Sequence, residues 1–229
     1  MSLLFETPVP MLAVAGSEQR FPVNRVFCVG RNYEAHAREM GSSEREAPFF
    51  FSKPAQSVLF SNNSIPYPPR TRDLHHEVEL VVALSKGGRK LSQQQAEAAI
   101  FAYGVGVDFT RRDLQAEAKN KGRPWDTAKG FEHSAPVSTL TPVSETGLLT
   151  TGDIRLQVNG ETRQQGNIAD MIWTVNEIIN ELSTYYELAP GDIIFTGTPS
   201  GVSAVTPGDK ITASIDGLPQ LNLTVTEPS

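Results

Sequence analysis

Cysteine is almost absent from this chain of 229 residues: Cys28 stands alone, so no internal disulfide can form, as suits a reducing cytoplasm. Long apolar runs are missing too, and none approaches the roughly 20 residues that a membrane-spanning helix needs. The first residues, Met-Ser-Leu-Leu-Phe-Glu-Thr-Pro, lack the charged start and extended apolar stretch of a secretory signal. Positive charge is in short supply: 20 Lys and Arg against 26 Asp and Glu leave a net charge of −6, which argues against a nucleic-acid partner. A Gly-x-Ser-x-Gly elbow is lacking, which excludes a nucleophilic-serine hydrolase of that type. Gly197-Thr198-Pro199-Ser200-Gly201 follows an apolar strand but has no Gly-Lys-Ser/Thr ending, and no helical pattern comes after it, so nucleotide binding is rejected. Repeats and low-complexity tracts are likewise missing. The expectation is a soluble, cytoplasmic protein with no membrane and no nucleic-acid partner.

What is present is enough apolar sequence, 39%, to bury one core, with 18 Gly and 16 Pro marking frequent turns. Residues 1–20 read as a short β-rich lead-in, with a strand over Met11 to Ala15, and residues 21–229 as the main domain. Strands are expected at Val26 to Val29, from Pro48, at His76 to Leu84 and at Phe101 to Phe109. Asn32 can cap a short helix from Tyr33 to about Met40, Ser92 one to about Ala99, and Asp170 one carrying Ile172, Val175, Ile178, Ile179 and Leu182. A polar helix is expected from about Arg111 to Lys119. Ile154 to Val158 alternates and runs into Asn159-Gly160, a strong hairpin signal. Asp192 to Thr196, Lys210 to Ile215 and Leu221 to Thr226 read as a β-meander. The βαβα alternation of a doubly wound sheet is absent, so the fold class is α+β with a mostly antiparallel β core.

The segment His75-His76-Glu77-Val78-Glu79-Leu80-Val81-Val82-Ala83-Leu84 carries the most chemical information. Alternation along a strand puts Glu77 and Glu79 on one face, about 7 Å apart, and that face continues as Val81 and Ala83. Both faces are therefore apolar, and two carboxylates sit at the end of a buried strand. They repel unless a proton or a cation lies between them. Taken alone, the segment reads equally well as a strand end emerging into water. In Phe101 to Thr110 one face holds Ala102, Gly104, Gly106, Asp108 and Thr110, small residues that leave room beside the backbone and lead to a single acid. Asp108 is either a helix cap or a ligand. Together the three acids describe a hard-cation site for Mg²⁺, Mn²⁺ or Ca²⁺, with vacant positions for a substrate. His75 or His76 could instead build a transition-metal site. Since neighbours on a strand face opposite ways, at most one of them can join the glutamates.

At these residues the sequence resembles the fumarylacetoacetate hydrolase family, in particular its single-domain acylpyruvase and oxaloacetate decarboxylase subgroup. The segments that carry the resemblance are Cys28-Val29-Gly30-Arg31-Asn32-Tyr33, Phe51-Ser52-Lys53-Pro54, His76-Glu77-Val78-Glu79-Leu80, Asp108 to Gln115, Lys129-Gly130-Phe131 and Gly191 to Val202. They stand in the family's order from about Phe21 to the C-terminus. The resemblance implies a β-roll catalytic fold, a homodimer, and Glu77, Glu79 and Asp108 as ligands of Mg²⁺ or Mn²⁺. It places Lys129 beside the metal, with Arg112 and Gln115 at the substrate. Ser or Ala often follows the family's lysine, with Asp soon after; Gly130 and Glu132-His133 stand there in this chain.

The remaining groups read in two ways each. His36 and Glu39 are three apart on the expected short helix, where a glutamate can orient an imidazole as a base; alone the pair is a surface contact, and the resemblance makes it a water-activating pair on a lid. Lys129, between Trp125 and Phe131, either meets an anion or snorkels to the surface; Lys53 is similar. Arg31 is a candidate carboxylate clamp. Arg111 to Lys129 holds six basic and three acidic residues and can draw in an anion, or is simply a solvated helix face. The resemblance makes Thr198 a donor to a substrate carboxylate; alone it reads as part of a plain turn. The implied activity is metal-dependent hydrolysis of a carbon–carbon bond in an acylpyruvate, a 2,4-diketo acid. Decarboxylation or tautomerisation of oxaloacetate, isomerisation or hydration of unsaturated 2-keto acids, and non-catalytic binding of a 2-keto acid are the alternatives.

Overall fold

The computed structural model describes residues 4–5, 7–33, 46–60 and 64–228. Its centre is an eight-stranded sheet. Phe49–Lys53, Val26–Gly30, Ile193–Phe195, Val78–Leu84, Ile100–Val107, Ala135–Val137 and Val58–Phe60 lie side by side, and Thr141–Pro142 pairs with Ile100–Val107. A five-stranded sheet runs Glu161–Asn167, Asp153–Val158, Lys210–Ile215, Leu221–Thr226 and Ser64–Pro66. Three short strands, Thr110–Arg111, Leu74–His76 and Ser203–Val205, form a third sheet, and Met11–Ala13 pairs with Arg20–Pro22. Most pairings are antiparallel; Ala135–Val137 with Val58–Phe60, Ile193–Phe195 with Val26–Gly30, and Leu221–Thr226 with Ser64–Pro66 are parallel.

The strand Val78–Leu84 is buried along its whole length because both of its faces carry core. Val78, Leu80, Val82 and Leu84 pack into one large cluster with Ile154, Leu156, Ile211 and Leu182. Val81 and Ala83 pack into a second with Leu12, Ala102, Leu140 and Phe195. Burial of this kind contributes about 1.5–3 kcal/mol per large apolar side chain, and here it holds rigid the strand from which Glu79 projects. The helix Val175–Tyr185 lays Val175, Ile178, Ile179 and Leu182 on the large cluster.

Local signals account for many boundaries. Ser92 caps Gln93–Ala99 through a full capping box with Gln95. Asn159 (φ 53°) and Gly160 (φ 84°) supply the two positive-φ positions of a tight hairpin between Asp153–Val158 and Glu161–Asn167. Other expectations need correction. Asp170 closes a short 3₁₀ turn, Ile168–Asp170, and the following helix starts later, capped by Thr174 with Glu177. Ile193–Phe195 lies in the central sheet rather than forming a meander with Lys210–Ile215 and Leu221–Thr226. The Asn32 carboxamide is taken up by Trp173 and by the Thr196 carbonyl (2.8 Å). The helix expected beyond Tyr33, with His36 and Glu39, lies outside the described residues.

Candidate metal centre and active site

The strand expected from His76 to Leu84 is broken at Glu77, which lies between Leu74–His76 of the small sheet and Val78–Leu84 of the central one. Asp108 follows directly on Ile100–Val107, and its N–H donates to the Glu77 carbonyl (2.8 Å). The register Val78↔Val107 and Glu79↔Gly106 puts the ends of both strands together. Glu77, Glu79 and Asp108 are all buried, and one carboxylate oxygen from each lies within 4.8 Å of the others. The small face leading to Asp108 is not open space, as the sequence suggested. A Cβ on Gly106 would stand 2.5 Å from Val81 Cγ2 and 2.6 Å from Phe195 Cε1, so core side chains fill it.

Cations are distributed unevenly over the three acids. Lys129, at the end of the short helix Asp126–Lys129, donates to Glu77 Oε2 (2.9 Å) and Asp108 Oδ2 (2.7 Å). Arg112, opening the helix Arg112–Asn120, donates to Glu77 Oε1 (2.5 Å) and Gln115 Oε1 (2.6 Å). Lys53 Nζ sits 2.8 Å from Asp108 Oδ1 and also donates to the carbonyls of Phe109 and Lys129. Glu79 has no cation among the described residues; it accepts the Gly197 N–H (2.6 Å). That contact depends on glycine, because Gly197 has φ +99° and a Cβ there would lie 2.6 Å from Asn32 Cβ.

The electrostatics follow from this placement. Burial pushes the Glu77 carboxyl up, but the neighbouring charges of Lys129 and Arg112 outweigh it and hold the group well below the ordinary range. Burial pushes Glu79 up, and the charges of Asp108 and Glu77 add to it. Burial pulls the Lys129 ammonium down, yet Asp108 and Glu77 keep it above its usual value. Glu79 is thus the acid that calls for a positive charge. A group with a raised folded pKa stabilises below the ordinary carboxylate range, and that stability fades as pH climbs through the folded value. Glu77 behaves oppositely, and its contribution is lost as pH falls through its depressed value. A divalent ion held by the trio would compete with the proton on Glu79, so affinity should rise with pH and binding should release protons. Titration of Mn²⁺ in buffers of different ionisation enthalpy measures that release; binding that releases no proton would contradict it.

The donor set fits a hard divalent cation: three carboxylates, a spacing that lets them share one atom, and no sulfur or imidazole among them. His75 and His76 stand apart from it. His75 Nε2 contacts Asp73 (2.9 Å). His76 lies between Gln164 and Ser203, and burial lowers its pKa to about 4.

Glu77 and Glu79 line a cleft whose walls also include Arg31, Gln115, Lys119, Trp125, Lys129 and Thr198. Arg31 (φ 59°) packs its guanidinium 5.9 Å from the Phe49 ring centre. At Gly130, where the resemblance led to an expected Ser or Ala, a Cβ would stand 3.0 Å from Pro54 Cδ and 3.1 Å from the Asp126 carbonyl oxygen, a tight fit. Two parts of the site were weak or silent in the sequence. Lys53 was marked only by three phenylalanines before it and a proline after it. Gln164, 1% exposed on an edge strand whose flanking residues are exposed, had no signal at all.

Residues 25–226 match the fumarylacetoacetate (FAA) hydrolase C-terminal family. The chain belongs to the fumarylacetoacetate hydrolase family. Among curated relatives, it is similar to a fumarylpyruvate hydrolase of Ralstonia sp., with 47% identity over 180 residues, 79% of this chain and 93% of the relative. It is 40% identical to the oxaloacetate tautomerase YcgM of Escherichia coli K12 over 198 residues, 86% of this chain and 90% of the relative. The crystal structure of fumarylpyruvate hydrolase from Pseudomonas aeruginosa, in complex with Mn²⁺ and pyruvate, superposes with a TM-score of 0.97 at 47% identity, covering 99% of this chain and 100% of that one.

Proposed function

We propose that the protein is a divalent-metal-dependent hydrolase that cleaves a carbon–carbon bond of acylpyruvates, 2,4-diketo acids such as fumarylpyruvate or acetylpyruvate, to pyruvate and a carboxylate. The observation that carries this reading is the buried carboxylate trio beside a cation-walled cleft, with Glu79 left uncompensated. Glu77, Glu79 and Asp108 would hold Mg²⁺ or Mn²⁺. When bound, that ion supplies Lewis-acid stabilisation of the negative charge that develops on the pyruvate half.

The chain's own groups divide the remaining work. Lys129 spends two of its three N–H bonds on Glu77 and Asp108, and the third, with no hydrogen-bond partner among the described residues, would go to the substrate keto oxygen. Arg112 occupies the Gln115 carbonyl oxygen, which leaves the Gln115 amide N–H groups to meet substrate. Thr198 and Arg31 offer donors to carboxylate groups. His36, its second nitrogen held by Glu39, takes a proton from water, the oxygen adds to the distal carbonyl, and the carbon–carbon bond breaks with its electron pair going to the pyruvate half. Protonation of that carbon completes pyruvate. The part given to His36 and Glu39 comes from the sequence alone. The working form in this reading is a cytoplasmic homodimer.

Pyruvate release from a panel of acylpyruvates with Mg²⁺ or Mn²⁺ tests the reading, and keto-acid binding without turnover across the panel would overturn it. The similarity to an oxaloacetate tautomerase favours a second reading, tautomerisation or decarboxylation of oxaloacetate, which needs no attacking water. His36→Ala separates them. It should slow diketo-acid hydrolysis by about 10²–10⁴-fold, the ordinary worth of a general base, while affecting the oxaloacetate reaction far less. Equal losses in the two assays would refute this division of labour.

A further inference from the structure

A run of polar groups, of which the mechanism above uses only Thr198, leads from the small sheet to the cleft. Ser203 Oγ is 2.9 Å from His76 Nε2, and His76 Nδ1 is 2.9 Å from Gln164 Oε1. The Gln164 amide nitrogen is 2.8 Å from Thr198 Oγ1. Gln164, His76 and Thr198 are all buried, and Thr198 shares the cleft wall with Glu79 and Lys129.

Backbone groups fix the orientation of the Gln164 carboxamide and the sense of the bonds it makes. The Val78 N–H, which can only donate, is 3.0 Å from one end of the Gln164 carboxamide, so that end is oxygen. The Pro199 carbonyl, which can only accept, is 2.9 Å from the other end, so that end is nitrogen. A flipped amide would set two donors and two acceptors against each other. His76 Nδ1 must then carry a proton, because the oxygen facing it has none to give. The second amide hydrogen of Gln164 goes to Thr198 Oγ1. Thr198 is an acceptor in that bond, and its own hydroxyl proton is donated to no group among the described residues.

We infer that Gln164, braced by His76 and Ser203, is a positioning residue that aims the Thr198 hydroxyl proton into the cleft and so selects an acceptor-only ligand group, a carboxylate, at that point. This rests on the keto-acid reading of the cleft. A glutamine is required because it alone presents oxygen to Val78 and His76 and hydrogen to Thr198 and Pro199 at the same length. A glutamate in its place has no hydrogen to give, would accept the Thr198 proton, and would turn it away from the ligand.

The test is calorimetric titration of pyruvate into the Mn²⁺-loaded protein and its variants. Gln164→Glu should weaken pyruvate binding by about tenfold to a hundredfold, the usual worth of a hydrogen bond to a charged group. Thr198→Val should do the same, and Thr198→Ser should bind within a few-fold of wild type. The decisive comparison is the double variant, in which Gln164→Glu should cost nothing further once Thr198→Val has removed the hydroxyl. Should the glutamate variant fail to fold, Gln164→Met serves in the same cycle, with a smaller first loss and again none in the Thr198→Val background. Losses that multiply in the double variant, or unchanged binding by folded Gln164→Glu protein, would overturn the proposal. Wild-type protein that binds no pyruvate would overturn the reading of the cleft and this proposal with it.

Discussion

Glu79→Gln is expected to lower turnover by about a thousandfold or more while the metal-free protein melts no lower than wild type. Glu79 is buried, has no cation partner among the described residues, and is pushed toward protonation by Asp108 and Glu77. A glutamine keeps an oxygen for the Gly197 N–H and, like the protonated acid, adds no third negative charge to the cluster, so the fold loses nothing. In the proposed reading the ion would lose its third anionic ligand, and with it part of the charge stabilisation of the breaking carbon–carbon bond. Glu77→Ala and Asp108→Ala should also abolish turnover, but each strips Lys129 of a partner and leaves a buried ammonium short of charge. Those two variants should therefore melt lower as well, by an amount on the order of 3–5 kcal/mol. Assays of pyruvate release paired with melting in chelator separate the cases. Turnover retained by Glu79→Gln, or a metal-free Glu79→Gln protein much less stable than wild type, would refute the charge balance described.

Lys53→Met and Lys129→Met should part company although both lysines touch Asp108. The Lys53 ammonium has three hydrogens, and its three partners are Asp108 and the carbonyls of Phe109 and Lys129. Lys53 is absent from the cleft lining, so it serves as a buried counter-ion. Its replacement by Met should cost about 3–5 kcal/mol, a fall in melting temperature of about 10 °C, while the folded fraction keeps turnover within about tenfold. Lys129 uses two hydrogens on the acids and faces the cleft with the third. Lys129→Met should lose about 10²–10³-fold in turnover even at temperatures where it is fully folded, as expected for one donor aimed at developing charge. Similar turnover losses in the two folded variants would show that Lys53 also reaches the reacting atoms.

What the sequence could show of this site was what depends on alternation along a strand. The chain from Val78 to Leu84 is apolar on both faces, and that alone marks Glu79 as an acid out of place in a buried strand. The Asn159-Gly160 turn and the Ser92 cap are local chemistry and are read directly from residue type. What alternation cannot show is a change of sheet. The chain leaves one sheet after His76 and enters another at Val78, so Glu77 reaches the trio from a break rather than from a shared strand face. Ile193–Phe195 was misplaced for the same reason, since its partners, Val26–Gly30 and Val78–Leu84, are far away in the chain. Gln164 sits in a polar edge strand and is buried only because Thr198, Pro199 and His76 close over it. Contacts between residues so distant in order leave no periodic trace.

The most direct measurement is Mn²⁺ uptake by the metal-free protein, followed by the electron paramagnetic resonance signal of free Mn²⁺, in wild type and in Glu77→Ala, Glu79→Ala and Asp108→Ala. The account predicts one ion per chain in wild type and loss of that binding in each of the three variants. Undiminished uptake of Mn²⁺ in all three would contradict it.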